Sequence, residues 1–182
     1  MPTCSQPSPR STTTPPGADF EPGHPPYLGQ LFTTDVGKAI QWRKGAKRRV
    51  LAYLRPGKPN FETGVRALSR LKRGTDVILA APGASQTLSR SLAGTPVRVV
   101  AGPVLLEPLL RECDLGISHA SNRISAAFIM AGIPQVGLPT QTEQAVVART
   151  VPIHRLGLGI LGSYGPDQAY EAITKALAGE HL

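Results

Sequence analysis

The fold class that the sequence predicts is doubly wound α/β, in which helices cover both faces of a parallel sheet. Short runs that are apolar throughout, such as Val77 to Ala81, alternate with segments whose apolar residues recur at helical spacing. Strands without polar alternation are expected where helices bury both faces of a parallel sheet. Between Asp114 and Gln144 the alternation is complete: strand, turn, helix, strand, turn and helix, with polar groups at the joints.

The first unit follows a basic segment. A strand is predicted from Lys47 to Arg55, around the apolar run Val50 to Leu54. The sequence Arg-Pro-Gly-Lys-Pro, which ends at Pro59, forces a turn because proline and glycine interrupt regular structure. Asn60 is a suitable N-cap for a helix with one apolar face, and Gly74 ends this unit. That face consists of Phe61, Val65, Leu68 and Leu71.

The middle of the chain repeats this pattern. Strands are predicted at Val77 to Ala81 and Val97 to Val100, each closed by a proline and a glycine that turn the chain. A short helix from Ser85 to Leu92 lies between them, and another follows from Leu105 to Cys113.

The last part of the chain supplies two more strands and three more helices. Asp114 to Ser118 is the fourth strand, and the helix after it ends at Gly132. The inward residues of that helix are Ile124, Ala127, Phe128 and Ala131. Gln135 to Leu138 is the fifth strand, and Pro139 turns it into another helix. A closing helix is predicted from Pro166 to Ala178, with proline in its first turn.

The composition divides the chain into three parts. Eight of the 18 prolines precede Tyr27, among Ser, Thr and Gly. Such a segment cannot bury enough apolar surface to offset the entropy of ordering, so residues 1–25 are predicted to be a disordered tail. Residues 26–46 have the character of a linker, and residues 47–182 form the predicted domain.

Neither a signal peptide nor a transmembrane segment is predicted, because no apolar run is long enough. The two cysteines, Cys4 and Cys113, give neither a metal spacing nor a disulfide framework. We therefore expect a cytoplasmic protein.

The net charge of +8 is concentrated in one segment. Between Lys38 and Arg73 there are twelve Lys or Arg residues and one acid, Glu62. One interpretation is attraction to an anionic partner, such as nucleic acid, a membrane surface or a phosphate substrate. The other, which we favour, is a solvated linker and helix face. Aromatic residues are too few here for a single-strand stacking platform, so no specific nucleic-acid partner is expected.

Polar residues at the joints form a candidate site. Parallel strands joined by a crossover helix bring both joints to one edge of the sheet, where open α/β sheets bind ligands. His119, Ser121, Asn122 and Arg123 then lie at a helix N-terminus, where free N–H groups and the helix dipole favour an anion. A phosphate-bearing ligand is predicted. The alternatives are that His119 bonds only a strand-end carbonyl and that Ser121 or Asn122 only caps the helix.

At the second joint, Thr140 and Glu143 fit a capping box, in which each side chain bonds the other's backbone N–H. Alternatively, Glu143 and Gln144 present a carboxylate and an amide to the hydroxyl groups of a sugar. A GxGxxG after the first strand, a Walker loop, a Ser-His-Asp order and a zinc spacing are all absent. We therefore assign no catalytic residue and expect no metal or cofactor.

Three motifs follow one another in the second half of the chain. Ser118 to Ser125 reads Ser-His-Ala-Ser-Asn-Arg-Ile-Ser, Gly132 to Pro134 reads Gly-Ile-Pro, and Glu143-Gln144 comes after a strand ending in proline. This order resembles the donor-binding half of GT-B nucleotide-sugar glycosyltransferases, particularly the UDP-glycosyltransferase and macrolide-glycosyltransferase type. That family has His-Gly-Gly-x-Gly-Thr, Gly-x-Pro and Asp-Gln at the corresponding places. The resemblance extends over roughly Pro26 to Ala178.

The resemblance implies a single Rossmann-like domain, equivalent to the C-terminal half of such an enzyme, whose substrate is a nucleotide-sugar, in the first place a UDP-sugar. It also implies three groups of binding residues. They are His119, Ser121, Asn122 and Arg123 for the donor diphosphate, Glu143 and Gln144 for the sugar, and Gly102, Pro103 and Val104 for the nucleobase side.

The chain departs from the family pattern in two respects. Ala120, Ser121, Arg123 and Ile124 replace the glycines and the threonine, so we expect close backbone approach to phosphate to be less easy, with Arg123 as a compensating charge. The acceptor pocket and general base of the family belong to an N-terminal half for which we find no room in this sequence. The implied partner is therefore a separate acceptor-binding domain or subunit. The alternative is a non-catalytic nucleotide- or anion-binding module.

Overall fold

The computed structural model describes residues 37–180, so the predicted tail and most of the linker-like segment lie outside the described residues. Residues 37–180 contain a sheet of six parallel strands in the order β3-β2-β1-β4-β5-β6. The strands are β1 (Arg48–Tyr53), β2 (Thr75–Ala80), β3 (Val97–Val100), β4 (Leu115–Ser118), β5 (Gln135–Gly137) and β6 (Gly157–Gly159). The predicted doubly wound α/β class is confirmed, because the chain winds from the centre of the sheet to both edges.

Helices cover both faces of this sheet. They are α1 (Phe61–Ser69), α2 (Gln86–Ser91), α3 (Leu106–Leu110), α4 (Asn122–Met130), α5 (Thr142–Ile153) and α6 (Pro166–Ala178). One buried apolar cluster includes residues of α1 and α6, and a second includes residues of α3 and α4. Neighbouring residues of β1 point into different clusters, Ala52 into the first and Leu51 into the second. This burial on both faces explains why the strands are apolar throughout. Across residues 37–180, every helix is too short or too polar to cross a bilayer.

The helix α4 packs very closely on the strand β4. Phe128 is completely buried, and a Cβ atom built at Gly116 would lie 2.6 Å from its ring carbons. Glycine in β4 therefore leaves the space that the aromatic ring fills. This packing holds the C-terminal half of α4 against the first half of β4, and the short connection of residues 119–121 places the N-terminus of α4 at the carboxyl end of β4, where the candidate site was predicted.

The sixth strand was not predicted from the sequence. Gly157–Gly159 is only three residues long and pairs with β5. Side chains at its two glycines would collide with the carbonyl groups of Gln135 and Ala148, so glycine is required by the close approach of the neighbouring backbone. The five predicted strands are all found. β3 and α6 have the predicted bounds, and the ends of the other predicted elements differ by a few residues.

Acids at the amino edge of the sheet bind part of the basic segment. Asp76 is buried and accepts hydrogen bonds of 2.9 Å and 2.6 Å from the guanidinium of Arg98. The same carboxylate accepts a bond of 2.7 Å from the backbone N–H of Arg43. Asp114 accepts an equivalent bond from the N–H of Arg49. These contacts join the start of β2 to β3 and to the segment before β1, and they join the start of β1 to the residue before β4. The guanidinium groups of Arg43 and Arg48 also lie 3.7 Å from Asp76 and 4.0 Å from Asp114, so part of the basic segment has a structural use.

We predict that Gly116→Ala destabilises the domain. The added methyl group must displace the Phe128 ring or separate α4 from β4, which costs about 1–3 kcal/mol of the free energy of unfolding. Chemical denaturation followed by circular dichroism measures this loss. Gly102→Ala is the matched control, because a Cβ atom there meets open space and the backbone has an ordinary φ. An equal effect of both substitutions would contradict the packing argument.

Candidate functional site

The candidate site lies where the direction of the chain reverses between the two halves of the sheet. β1 and β4 are neighbours, and the chain leaves β1 toward β2 and leaves β4 toward β5. A crevice at the carboxyl ends of two such strands is where open α/β sheets bind ligands. A cavity of about 270 Å³ occupies this point. It is lined by Tyr53, Arg55, Lys58, His119, Ser121, Ile124, Thr140, Gln141 and Gln144.

The charges around the cavity favour an anion. Arg55 and Lys58 line it, and no acidic side chain of residues 37–180 does. α4 and α5 both begin at its rim, after Ser121 and Gln141, and neither of these N-cap side chains bonds the helix. Their first N–H groups are therefore not satisfied by a capping side chain, and the positive ends of two helix dipoles meet the cavity. A phosphate group suits this environment.

His119 is buried at the inner end of the cavity, and the main chain engages both of its ring nitrogens. Nε2 accepts a hydrogen bond of 3.0 Å from the N–H of Arg55, and Nδ1 lies 3.0 Å from the carbonyl oxygen of Leu138. Because a carbonyl can only accept, the proton is on Nδ1 and the ring is neutral. Burial is the main cause that lowers the pKa of His119, and the charges of Arg55 and Lys58 lower it further. Binding of a phosphate to the ring would require one of these bonds to be exchanged.

The other residues predicted to bind the diphosphate lie in the first turn of α4. Ser121 lines the cavity, whereas Asn122 and Arg123 are exposed beside it. The amide of Asn122 donates a hydrogen bond of 3.3 Å to the carboxylate of Glu143 on α5. A predicted diphosphate residue and a predicted sugar residue are thus brought together across the two helix N-termini.

The predicted capping box is wrong. Helix α5 begins at Thr142 rather than directly after Thr140, so Gln144 occupies the third helical position. Its side-chain oxygen accepts hydrogen bonds of 2.8 Å from the N–H and 3.0 Å from the hydroxyl of Thr140. Glu143 takes no part in this cap and faces Asn122 instead. Of the two predicted sugar-binding residues, Gln144 therefore lines the cavity and Glu143 lies at its rim.

The predicted nucleobase loop lies at the same sheet edge but does not line this cavity. Gly102, Pro103 and Val104 follow β3, which is separated from β1 by β2. Lys38 pairs with this loop: its N–H donates a bond of 2.9 Å to the carbonyl of Pro103, and its carbonyl accepts a bond of 3.0 Å from the N–H of Leu105. Val104 is buried beneath this contact.

Ala120 stands where the resembled motif has glycine and adopts a backbone conformation that favours glycine. Its φ of 59° is left-handed, a conformation that costs a non-glycine residue roughly 1–2 kcal/mol. Its N–H donates a bond of 3.0 Å to the hydroxyl of Ser118, and its methyl group is fully buried. A glycine-like turn therefore precedes α4 although the glycines themselves are absent.

The turn after β1 contributes two cations, Arg55 and Lys58, that were not among the predicted site residues. In the sequence they belong to a predicted turn and to the general basic segment. Their position could have indicated a place in the site, because both cations follow β1, the strand whose carboxyl end lies beside that of β4. The sequence does not give the strand order, so it did not show that β1 lies beside β4.

Comparison with known proteins finds structural relatives only. No protein-family model and no curated protein matches the chain. The spinosyn rhamnosyltransferase SpnG, complexed with thymidine diphosphate, matches with a TM-score of 0.69 and 23% identity, over 91% of this chain and 47% of SpnG. The glycosyltransferase of kitacinnamycin matches with a TM-score of 0.65 and 19% identity, over 84% and 41% of the two chains. A variant of Os79 from O. sativa, in complex with UDP, matches with a TM-score of 0.61 and 18% identity, over 73% of this chain and 33% of Os79.

At these identities the similarity shows the fold. The resemblance to one half of GT-B glycosyltransferases is confirmed at that level. The chain spans less than half the length of these solved structures.

We predict that the stability of the domain falls in acid partly through His119. Because its folded pKa lies below the ordinary value of 6.5, the folded state binds fewer protons than the unfolded state. The contribution of His119 to the free energy of unfolding is complete above pH 6.5, the ordinary pKa, and is lost as the pH falls through the lower pKa of the folded state. Denaturation curves of the wild type and His119→Gln measure it, since the other histidines remain in both. Parallel pH profiles of the two proteins would contradict this assignment.

Proposed function

We propose that this chain is the donor-binding half of a nucleotide-sugar glycosyltransferase. In this proposal, the cavity at the carboxyl ends of β1 and β4 receives the diphosphate of a nucleoside diphosphate sugar. A separate acceptor-binding domain or subunit completes the enzyme.

The observation that carries this proposal is the electrostatic character of the cavity. Two cations, Arg55 and Lys58, and the N-termini of α4 and α5 converge on a crevice without acidic lining residues in the described chain. A diphosphate carries its charge on several oxygens, so a site with several distributed donors suits it better than a single cation does. The fold agrees with this assignment, because solved relatives of the same fold are in complex with thymidine diphosphate or UDP.

The remaining predicted residues extend this site along the sheet edge. Ser121, Asn122 and Arg123 surround the first N–H groups of α4 and are proposed to bind the diphosphate. Glu143 and Gln144, at the start of α5, are proposed to bind the sugar hydroxyls. The loop from Gly102 to Val104 is proposed to border the base, further along the same edge.

The proposed chemistry is transfer of the sugar from the diphosphate to an acceptor hydroxyl. As the glycosidic bond breaks, negative charge develops on the leaving diphosphate, and preorganised N–H groups with Arg55 and Lys58 stabilise it. The general base that deprotonates the acceptor belongs, in this proposal, to the separate acceptor half. No cofactor enters this scheme, since the nucleotide-sugar is itself the substrate.

A second candidate is a non-catalytic module that binds a nucleotide or another anion. The replacement of the motif glycines favours it, because residues such as Ile124 restrict how closely a phosphate approaches the backbone. This module would bind a nucleoside diphosphate without transferring a sugar when the acceptor half is supplied.

The test is a calorimetric titration of the chain with UDP and thymidine diphosphate. We predict saturable binding that Arg55→Gln and Lys58→Gln each weaken by about tenfold, since each removes one charge-assisted contact with phosphate. Lys44→Gln is the matched control, because it removes the same charge before β1, at the opposite edge of the sheet.

Three outcomes decide whether the cavity is a nucleoside diphosphate site. Binding that survives Lys44→Gln and is weakened by the other two substitutions supports a diphosphate site. Equal weakening by all three, together with a steep dependence on salt, indicates nonspecific attraction of polyanions to the basic segment. A wild-type chain that binds neither nucleotide rules out the donor site.

A further inference from the structure

The turn that follows β1 is attached to the other half of the sheet at both of its ends. We define residues 55–60 as the basic turn. At its start, the N–H of Arg55 donates to Nε2 of His119, and at its end the side-chain amide of Asn60 donates a bond of 2.9 Å to the carbonyl of Pro139. His119 also bonds Leu138, so both attachments lead to the same short segment after β5.

Neither attachment is explained by the local structure of the turn. Asn60 precedes α1 and was predicted to cap it, but its side chain forms no capping bond and its φ is 68°. A left-handed asparagine that bonds a carbonyl 79 residues away holds the turn against β5 rather than stabilising its own helix. At the start of the turn, the imidazole of His119 likewise joins Arg55 to Leu138, the residue after β5. The crevice between β1 and β4 is thus bridged by one titratable and one non-titratable hydrogen bond.

We propose that His119 is a positioning residue, which holds the basic turn over the cavity through the N–H of Arg55 and releases it when the ring is protonated. This inference rests on the proposed function for its consequence, namely that neutral His119 maintains the affinity for a nucleoside diphosphate. The role differs from direct contact with phosphate, in which a ring N–H would point to the ligand.

The chemistry of the ring makes this bond an effective switch. Nδ1 already carries a proton for Leu138, so a second proton can be added only at Nε2, the atom that accepts from Arg55. A protonated Nε2 cannot accept, and the two N–H groups then repel each other. The charged groups that face the ring from the basic turn are Arg55 and Lys58, and both are cations that oppose protonation.

The elements on the other side of the ring add little charge. The ends of α4 and α5 nearest to the cavity carry Arg123 and Glu143, which are exposed, and Glu143 bonds Asn122. Tyr53, at the end of β1, also lines the cavity. A bound diphosphate attracts a protonated ring directly, but the proposal requires this attraction to be smaller than the affinity lost when the turn is released, so that by linkage the bound nucleotide keeps the ring neutral. Tight binding therefore requires a pH at which the ring stays neutral.

The first test follows the backbone N–H of Arg55 by nuclear magnetic resonance in the ligand-free protein. We expect its hydrogen-exchange protection to decrease at least threefold more than that of neighbouring strand amides as the pH is lowered from about 7.5 to about 5, after correction for the intrinsic exchange rate. In His119→Gln, whose side-chain oxygen can accept from Arg55 but cannot be protonated, protection should not change with pH. Equal pH dependence of the two proteins would overturn the proposal.

The second test measures affinity for UDP over the same pH range. The terminal phosphate of the nucleotide titrates there too, so the comparison is between proteins at each pH. We expect the wild type to lose at least roughly threefold more affinity in acid than His119→Gln, because protonation depletes the competent conformation. Asn60→Gly is the matched control: it removes the non-titratable attachment, tolerates the left-handed φ, and should weaken binding by a similar factor at every pH.

The outcomes separate this inference from the proposed function. If His119→Gln abolishes UDP binding while Arg55 remains protected, the ring contacts the nucleotide directly and the positioning role is wrong. If the wild type binds no nucleotide but the protection of Arg55 depends on His119 and pH, the hydrogen bond is a switch and the donor site is wrong. If His119→Gln fails to fold, the wild type alone still decides the question: protection of the Arg55 N–H that does not fall in acid relative to neighbouring strand amides overturns the proposal.

Discussion

Burial of the sheet on both faces is the constraint on which the rest of the structure depends. Side chains alternate across a strand, so Leu51 and Ala52 of β1 point to opposite faces, and each face must be covered. Helices that cross from the end of one strand to the start of the next provide this cover and make the strands parallel. All strand carboxyl ends then lie at one edge, and the reversal between β1 and β4 opens a crevice there.

The two edges of the sheet use basic residues differently. At the amino edge, Asp76 and Asp114 bind arginine side chains or their N–H groups, which fixes the relative positions of the strands. At the carboxyl edge, Arg55 and Lys58 form no ion pair within residues 37–180 and line the cavity. The basic segment thus has a structural role at the start of the sheet, which neither interpretation of its charge included, and a proposed binding role after β1.

Local signals in the sequence predicted the elements, and contacts between distant residues determined what it could not predict. Apolar runs identified five strands, whereas β6 has the sequence Gly-Leu-Gly and exists because β5 lies beside it. Likewise, the place of His119 at a strand end followed from the sequence. The hydrogen bond that His119 accepts from the N–H of Arg55 could not be predicted, because it joins residues 64 positions apart. Asn60 occupies the predicted N-cap position of α1, but its side chain bonds the distant Pro139 instead of the helix. At the start of α5 the difference is local, since Gln144 rather than Glu143 bonds Thr140.

Ala120 shows why the altered motif remains compatible with a phosphate site. Glycine offers two properties at this position, a left-handed φ and the absence of a Cβ atom. Ala120 has the left-handed φ, at a cost in free energy, and the bond from its N–H to Ser118 supports this conformation. The absence of a Cβ atom matters for phosphate binding only if that atom would point toward the phosphate. A Cβ built at Gly137 would lie 3.1 Å from the methyl group of Ala120, which places that methyl group against β5. Ala120 does not line the cavity, so at this residue the expected obstruction of phosphate does not arise.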